Sequence, residues 1–404
     1  MKRILFVDDE PNLLEGLERM LRHQSREWEM AFVTTGQEAL RLLESRPFDV
    51  IVADVLMPEM DGAELLERVQ QRFPGVLRVV LSGYFERDAA LKAAGVAHRY
   101  LAKPCGSAGL VAAIEGLCRS AALLPDLRAR CVVGSIGSLP GLPNACADAI
   151  ELLREPETGA DQVCQAIERD IGMTAQLLQV AASPLFGNVT TTIPAAVGKL
   201  GFDGMRQLLV SRQIFESFEP APAVRGFSLE DFQLHCWITT KIAARLPAPA
   251  DVASQAVLAG ALHDIGKLVL AMRLPALFEQ ALEASRRQKR PLHQVEKEAI
   301  GASHAEIGAY LLSLWGLPEP VVEAVFRHHQ PATRPGEAGS LDVLAITHLA
   351  DGLAREQIPN PMGAVDAPLD LEYLSRLKLA GHLPEWRSVA REVAGSARVP
   401  KAVS

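Results

Sequence analysis

The stretch DVIVADVLMPEMDG, residues 49–62, gives the clearest indication of the fold. It begins with a short apolar run that ends at Asp54, passes through Pro58, and reaches Gly62, where helical spacing begins. A short apolar run bounded by turn residues predicts a strand that is buried in a parallel sheet. The stretch therefore predicts a strand followed by a helix, with an acidic residue at the end of the strand.

The same alternation of strand and helix occupies residues 1–121. Strands are predicted at Ile4–Val7, Glu29–Val33, Asp49–Ala53, Leu77–Leu81 and Arg99–Leu101. Helices are predicted at Pro11–Arg22, Gly36–Glu44, Gly62–Arg72, Glu86–Ala94 and Ser107–Cys118. This alternation is typical of a doubly wound α/β domain, here with a five-stranded parallel sheet. Ligands of such a sheet bind outside the carboxyl ends of its strands.

Polar residues stand where these strands end. Asp8 and Asp9 follow the first strand, Asp54 ends the third, and Ser82 and Lys103 follow the fourth and fifth. Clustered carboxylates repel each other unless a cation lies among them, and oxygen ligands suit Mg²⁺. With Mg²⁺ and Lys103 neutralising the phosphoryl oxygens, Asp54 can act as the nucleophile in phosphoryl transfer. The Ser82 hydroxyl can hydrogen-bond the product.

Residues 1–121 resemble the receiver domains of two-component response regulators. The matching pieces are Val7–Glu10, Asp54–Gly62, Leu81–Gly83 and Tyr100–Pro104. The resemblance implies that Asp54 is the phosphoacceptor and that a sensor histidine kinase phosphorylates it. It also implies that Asp8, Asp9, Asp54 and the backbone carbonyl of Leu56 bind Mg²⁺. The receiver switch that it implies consists of Ser82, Tyr100 and Lys103.

Composition limits the remaining possibilities. A chain of 404 residues is too long for one ordinary hydrophobic core, so we expect two or three domains. A net charge of −8 provides no basic field for nucleic acid or for an anionic membrane surface. No apolar run reaches membrane-spanning length, and the six cysteines form no C-x-x-C pair. We therefore expect a soluble protein of the reducing cytoplasm.

Beyond about residue 132 the strand pattern stops and helical spacing continues, which predicts an all-α domain. We predict a receiver domain at 1–121, a helical linker at 122–133, a helical domain at 134–340, and a helical extension at 341–404 that packs on it. Ser303 and Glu306 form a capping box before an apolar run that Gly316 ends.

Residues that could bind a metal are scattered through the helical domain: His235, His263, Asp264, His304, His328, His329 and Asp351. Imidazoles and carboxylates in this ratio suit Fe, Mn or Zn. Asp231, one turn before His235, is a further candidate oxygen ligand, and Lys267 is a candidate phosphate contact. A buried polar network and unrelated scatter are the alternatives for the set. Taken singly, His304 and His348 are expected to be surface or cap histidines.

The string ALHDIGKL at Ala261–Leu268 resembles the motif of the HD phosphohydrolase superfamily. Three further motifs resemble the HDOD domain, an HD-related output domain of bacterial signalling proteins: Leu139–Pro143, Ser183–Gly187 and Ala195–Phe202. HDOD domains are generally regulatory modules without an established reaction. The HD-GYP relatives that hydrolyse cyclic di-GMP carry a Gly-Tyr-Pro loop after a His-His pair, whereas here Gln330–Pro335 follows.

The sequence thus predicts a response regulator in which phosphorylation of Asp54 controls an HDOD domain that acts by binding a downstream signalling protein. The alternative is a receiver-gated, metal-dependent phosphohydrolase acting on a cyclic dinucleotide or another phosphoester, and the sequence leaves open whether the helical domain is an enzyme. A DNA-binding regulator is disfavoured because no recognition-helix motif or basic face is present. By resemblance, a homodimer that forms on phosphorylation is compatible with the receiver.

Overall fold

The computed structural model describes residues 1–83, 93, 95–136, 149, 151–153, 158–182, 190, 192–210, 224–333, 339–358 and 365–397. The helix predicted at Glu86–Ala94 lies, apart from Ala93, outside the described residues. The motifs at Leu139–Pro143 and Ser183–Gly187 also lie outside them.

The N-terminal sheet has five parallel strands, as predicted. They are β1 (Lys2–Val7), β2 (Trp28–Val33), β3 (Val50–Asp54), β4 (Leu77–Gly83) and β5 (Arg99–Lys103). The strand order is β2-β1-β3-β4-β5, and every neighbouring pair is parallel. The helices of this region are α1 (Pro11–Leu21), α2 (Gly36–Ser45), α3 (Gly62–Arg72) and α4 (Ser107–Ser120). The strand order reverses between β1 and β3, which places Asp8 and Asp54 at the switch point where such sheets bind ligands.

Both faces of the sheet are buried, which explains why its strands are apolar runs rather than alternating ones. In β3, Val50 and Val52 belong to the core on one face, and Ile51 and Ala53 belong to the core on the other. All five residues of this strand are buried. Asp54 is therefore held rigidly at the end of a fully packed strand.

The rest of the described chain is helical, as predicted for the second domain. The helices are α5 (Leu127–Gly134), α6 (Ala160–Glu168), α7 (Ile171–Ala181), α8 (Ile193–Val210), α9 (Leu229–Ala243), α10 (Ala250–Leu262), α11 (Ile265–Arg273), α12 (Pro275–Gln288), α13 (Leu292–Ile300), α14 (His304–Trp315), α15 (Glu319–Arg327), α16 (Val343–Gln357), α17 (Leu371–Arg376) and α18 (Leu383–Ala397). Short 3-10 turns occur at Arg22–Gln24, Pro331–Thr333 and Ala380–His382. Gly201, with φ of 65°, interrupts α8.

One stretch, Ala250–Arg273, is long and apolar enough to cross a membrane by length and composition, with a mean hydropathy of 1.2. It was not predicted from the sequence, because His263, Asp264 and Lys267 interrupt the apolar residues. In the folded protein, 78% of the most apolar 18-residue segment of this stretch is buried. It comprises α10 and α11, and α11 packs against α14.

Helix α14 lies between the two parts of the chain. Its start is confirmed, because the Ser303 hydroxyl accepts from the Glu306 backbone NH and the Glu306 carboxylate accepts from the Ser303 backbone NH. Its outer surface packs against α4 and α5. Near its end, Arg99 Nη2 of β5 donates to the Ser313 carbonyl at 2.8 Å, and the Ser120 and Ser313 hydroxyls are 2.6 Å apart. The sheet domain is therefore packed directly on the helical domain.

Candidate phosphorylation site and candidate metal centre

Three charged residues meet at the carboxyl end of the sheet. Lys103 Nζ is 2.8 Å from Asp8 Oδ2 and also hydrogen-bonds Asp54 Oδ1. Asp8 and Asp54 are buried, with 2% and 4% of their surface exposed. The site therefore holds two hard oxygen donors beside one fixed ammonium group, a donor set that fits Mg²⁺.

The electrostatics of Asp54 follow from this position. Burial raises the pKa of Asp54, against the opposing effects of the hydrogen bond and charge of Lys103. Burial acts to lower the pKa of Lys103, but its hydrogen bonds to Asp54 and Asp8 outweigh burial and raise it. The Leu56 backbone NH donates to Asp54 Oδ2 at 3.0 Å and orients the carboxylate. Lys103 is therefore a permanent cation beside the candidate phosphoacceptor.

The remaining predicted receiver residues surround this centre. Ser82 is fully buried at the end of β4, Asp9 is exposed beside Asp8, and Leu56 is 52% exposed. Tyr100 is buried and its hydroxyl donates to the Ala93 carbonyl at 2.6 Å. The roles of these residues stay predictions.

Gly62 is required for a reason that the sequence did not reveal. A Cβ atom at this position would lie 2.0 Å from the Asp54 carbonyl oxygen, so only glycine allows the loop after β3 to return to the strand. Asp61 accepts from the Glu64 backbone NH at 2.8 Å and caps α3 at the same point. The loop is thus anchored next to the candidate phosphoacceptor.

The seven predicted metal-capable residues come together in the helical domain, which excludes unrelated scatter. His235 comes from α9, His263 and Asp264 lie between α10 and α11, and His304 begins α14. The other members, which follow α15 or lie in α16, are His328, His329 and Asp351.

His263 and Asp264, at the break between α10 and α11, lie close to the start of α14. A Cβ atom at Gly266 would lie 2.0 Å from the His304 carbonyl oxygen. The glycine of the HDIGK string therefore lets the two helices approach each other. This approach sets Asp264 Oδ1 3.2 Å from His304 Nε2.

Two groups within the cluster could each hold a metal ion, among the residues that the structure describes. They are Asp264 with His304, His328 and His329, and Asp264 with His235 and His263. In each group the candidate ligand atoms lie within 4.8 Å of one another, and Asp264 belongs to both. Asp351 Oδ1 adjoins the second group, at 3.0 Å from His235 Nε2 and 3.3 Å from His263 Nε2.

Hydrogen bonds fix the orientation of three imidazoles. The Nδ1 atoms of His263 and His328 lie 2.8 and 2.7 Å from the carbonyl oxygens of Gly260 and Val325. His304 Nδ1 is 2.6 Å from a carboxylate oxygen of Glu296. In the neutral form of each ring, these partners place the proton on Nδ1 and leave the Nε2 lone pair for a metal.

Orphaned atoms test whether a metal fits. Asp264 Oδ1 and His328 Nε2 are buried, have no hydrogen-bond partner, and lie 3.6 Å apart. An unpaired buried polar atom costs about 1–3 kcal/mol. A divalent cation coordinated by both atoms would remove this cost, so the donor set fits a metal such as Fe, Mn or Zn.

Two histidines of the cluster differ in their ionisation. Burial lowers the pKa of His328 to about 4, so this imidazole is neutral at physiological pH. Burial also acts to lower the pKa of His263, but the charges of Asp264 and Asp351 outweigh it and raise this pKa to about 9. A metal that binds His263 must therefore displace a proton.

The expectation that His304 and His348 lie at the surface was wrong, whereas His304 does stand at the start of α14. His304 and His348 are not surface groups, since only 1% and 3% of their surfaces are exposed. His348 Nδ1 donates to the His328 carbonyl at 2.7 Å, which supports the backbone beside the cluster. Asp231 lies on the exposed first turn of α9, outside the cluster.

Lys267 is 1% exposed and its Nζ is 2.6 Å from Asp264 Oδ2. A phosphate contact by Lys267 stays a prediction.

Three charged residues of the centre were not predicted from the sequence. Glu296 binds both the backbone NH and the imidazole of His304. Arg355 Nε donates to Asp351 Oδ1 at 2.7 Å, and its guanidinium also pairs with Asp366. Arg355 lies one helical turn after Asp351, so helical spacing could have identified it. No local signal marks Glu296 or Asp366.

Comparison with known proteins identifies both domains of the chain. The family model "Response regulator receiver domain" matches residues 4–115, and the model "HDOD domain" matches residues 139–331. The transcriptional regulatory protein YesN of Bacillus subtilis is 34% identical over 123 residues, which are 28% of this chain and 32% of YesN. An uncharacterized protein of Treponema pallidum is 24% identical over 208 residues, which are 51% of this chain and 40% of that protein. The chain thus spans less than half the length of these curated relatives.

Among solved structures, a virulence factor from Campylobacter jejuni has a similar fold, with a TM-score of 0.50 at 19% identity. The similarity covers 68% of this chain and 98% of that one. At this identity the likeness concerns the fold alone.

Proposed function

This chain belongs to the response regulators that join a receiver domain to an HDOD domain, and from that premise we infer that phosphorylation of Asp54 controls the HDOD domain. The phosphodonor is a sensor histidine kinase, and this protein acts in the cytoplasm. The HDOD domain acts by binding a downstream signalling protein, and phosphorylation changes what it binds.

The observation that carries this proposal is the contact of the partly buried Lys103 with the two buried carboxylates of Asp8 and Asp54. In the transfer, an Asp54 oxygen forms a bond to phosphorus while the phosphorus–nitrogen bond of the kinase phosphohistidine breaks. Magnesium, held by Asp8, Asp9, Asp54 and the Leu56 carbonyl oxygen, would supply charge neutralisation at the phosphoryl oxygens. Lys103 supplies a second positive charge and holds the carboxylate in place.

A continuous set of contacts supports control of the HDOD domain. Tyr100, a predicted switch residue, is the neighbour of Arg99 in β5. Arg99 donates to the Ser313 carbonyl of α14, and α14 begins at His304. A change in β5 that follows phosphorylation would therefore move the helix that carries part of the His/Asp cluster.

Labelling with a small phosphodonor such as acetyl phosphate tests the first step. We expect Mg²⁺-dependent phosphorylation of the full chain that Asp54→Asn abolishes. Asp61→Asn is the matched control, because it replaces a nearby carboxylate and preserves the cap of α3. Equal labelling of the wild type and Asp54→Asn would refute the assignment.

The same labelled sample tests the homodimer. The resemblance places receiver dimers at the face near the last helix, α4, which here packs against α14. Dimerisation would therefore require this packing to open. We expect the mass by light scattering to double on phosphorylation, and an unchanged mass of fully labelled protein would exclude the dimer.

A second candidate function rests on one observation, the convergence of the His/Asp cluster around orphaned atoms of Asp264 and His328. This function is metal-dependent hydrolysis of a phosphoester, for which the metal would supply an activated water. We expect metal-loaded full-length protein to hydrolyse bis-p-nitrophenyl phosphate or a cyclic dinucleotide, and His328→Ala to lose this activity. Metal-loaded wild type that is inert towards both substrates would eliminate it.

A further inference from the structure

The two oxygens of the Asp264 carboxylate have different surroundings. Oδ1 lies 3.2 Å from His304 Nε2 and 3.6 Å from His328 Nε2. Oδ2 lies 2.6 Å from Lys267 Nζ and 3.6 Å from Arg355 Nη2. Oδ2 also lies 3.4 Å from His263 Nε2, so imidazoles face both oxygens. Of the two, only Oδ2 also faces the cationic side chains of Lys267 and Arg355.

On the Oδ1 side, atoms are available to a ligand. Asp264 Oδ1 and His328 Nε2 have no hydrogen-bond partner, and both residues are 0% exposed. His304 Nε2 and His329 Nε2 lie 2.8 Å apart on this side. Because His328 Nδ1 is bonded to a carbonyl oxygen, the lone pair of Nε2 faces a carboxylate oxygen. These two atoms are both acceptors and repel each other, so a cation bound between them would stabilise the arrangement.

On the Oδ2 side, the carboxylates already have cationic partners. Arg355 Nε donates to Asp351 Oδ1 at 2.7 Å, and Lys267 binds Asp264 Oδ2. Asp366 pairs with the far end of the guanidinium and holds it in place. The side chain of Arg355 is 13% exposed, so solvent screens its charge only weakly.

A metal ion on the Oδ2 side would compete with these partners. It would need Asp264 Oδ2 and Asp351 Oδ1, which Lys267 and Arg355 already bind. It would also lie beside a guanidinium that stays protonated at any physiological pH. Repulsion between like charges in a buried site disfavours such binding.

We propose that the helical domain binds one divalent transition-metal ion, through Asp264 Oδ1, His304, His328 and His329, and that Arg355 takes the place of a second ion beside Asp351. Arg355 is then a positioning residue that sets the metal stoichiometry. This inference deepens the second proposed function, which requires a metal. It does not depend on phosphorylation of Asp54.

A titration of the full chain with Co²⁺ tests the inference, because cobalt bound to imidazole absorbs visible light. Excess Mg²⁺ occupies the receiver site throughout. We expect one Co²⁺ per chain in the wild type, affinity reduced at least about tenfold in His328→Ala, and affinity within about twofold of the wild type in His235→Ala. These two variants remove one imidazole from each candidate group.

The second part of the test removes the competing cation. The double variant Arg355→Met, Asp366→Asn deletes the guanidinium together with the charge of the carboxylate that pairs with it. We expect it to bind two Co²⁺ per chain. Arg387→Met is the matched control, since Arg387 pairs with Glu356, the neighbour of Arg355, away from the cluster, and it should bind one.

Circular dichroism confirms that the variants fold. The outcomes then distinguish this inference from the hydrolase proposal. Two ions in the wild type, or loss of binding in His235→Ala with retention in His328→Ala, overturn the inference and leave the hydrolase proposal standing. A wild type that binds no Co²⁺ overturns both. A single ion in a folded double variant refutes the role of Arg355. If the double variant does not fold, the comparison of His235→Ala with His328→Ala still places the ion.

Discussion

Gly266 allows a prediction whose size follows from the structure. Replacement by alanine would set the new Cβ 2.0 Å from the His304 carbonyl oxygen, and real contacts of this kind are not shorter than 3.0 Å. Because the obstructing atom belongs to the backbone of α14, a side-chain rotation cannot relieve the contact. Helices α11 and α14 must therefore separate by about 1 Å.

The expected loss of stability is large for the addition of one methyl group. Overpacking a core commonly costs about 1–3 kcal/mol, and this case belongs at the upper end because two helices must move. We predict that Gly266→Ala lowers the free energy of unfolding of the helical domain by about 3 kcal/mol. Movement of α14 should also weaken Co²⁺ binding, because His304 begins that helix.

Urea unfolding followed by far-ultraviolet circular dichroism measures this change. Gly395→Ala is the control, because Gly395 also lies in a helix and a Cβ there would have no atom within 4 Å. It should leave the domain unchanged or stabilise it by up to about 1 kcal/mol. If Gly266→Ala unfolded within about 0.5 kcal/mol of the wild type, the close approach of α11 and α14 would be wrong.

Three further predictions concern the sheet domain. Lys103→Met should slow phosphorylation of Asp54 by acetyl phosphate about 100-fold, because it removes the ammonium group that neutralises the phosphoryl oxygens. Burial, with the charge of Arg78, holds the pKa of His98 well below its usual 6.5. Above pH 6.5, His98 is neutral in both the folded and the unfolded state. Below that pH the unfolded state takes up a proton that the folded state does not, so the free energy of unfolding falls as the pH drops. In His98→Gln, the slope of unfolding free energy against pH below 6.5 should be shallower by up to about 1.4 kcal/mol per unit. Arg99→Met removes the bond to the Ser313 carbonyl and should increase proteolytic cleavage between the domains severalfold, without changing the labelling of Asp54; equal cleavage would show that the bond is not needed.

The N-terminal domain could be predicted in detail because its signals are local. Each buried strand is a continuous apolar run, and Asp54 directly follows the run of β3. Parallel strands bring their carboxyl ends to one edge, so the proximity of Asp8 and Asp54 follows from topology alone. The need for glycine at position 62 could not be foreseen, since it depends on the path of the loop back to β3.

The helical cluster was predictable in its membership but not in its arrangement. Helix α16 is buried at every position from Val343 to Ala354, so it has no polar stripe to distinguish its faces. His348 was therefore misjudged as a surface residue. The pairing of Glu296 with His304 joins α13 to α14, and such contacts depend on tertiary packing that no spacing rule specifies.

The most direct test of control by phosphorylation is hydrogen–deuterium exchange of α14. The full chain is compared with and without Mg²⁺ and acetyl phosphate, and peptides that cover His304–Trp315 are followed. The account predicts that exchange of these amides changes in the wild type when Asp54 is phosphorylated, and does not change in Asp54→Asn. Identical exchange of α14 in fully phosphorylated and unphosphorylated wild type would contradict it.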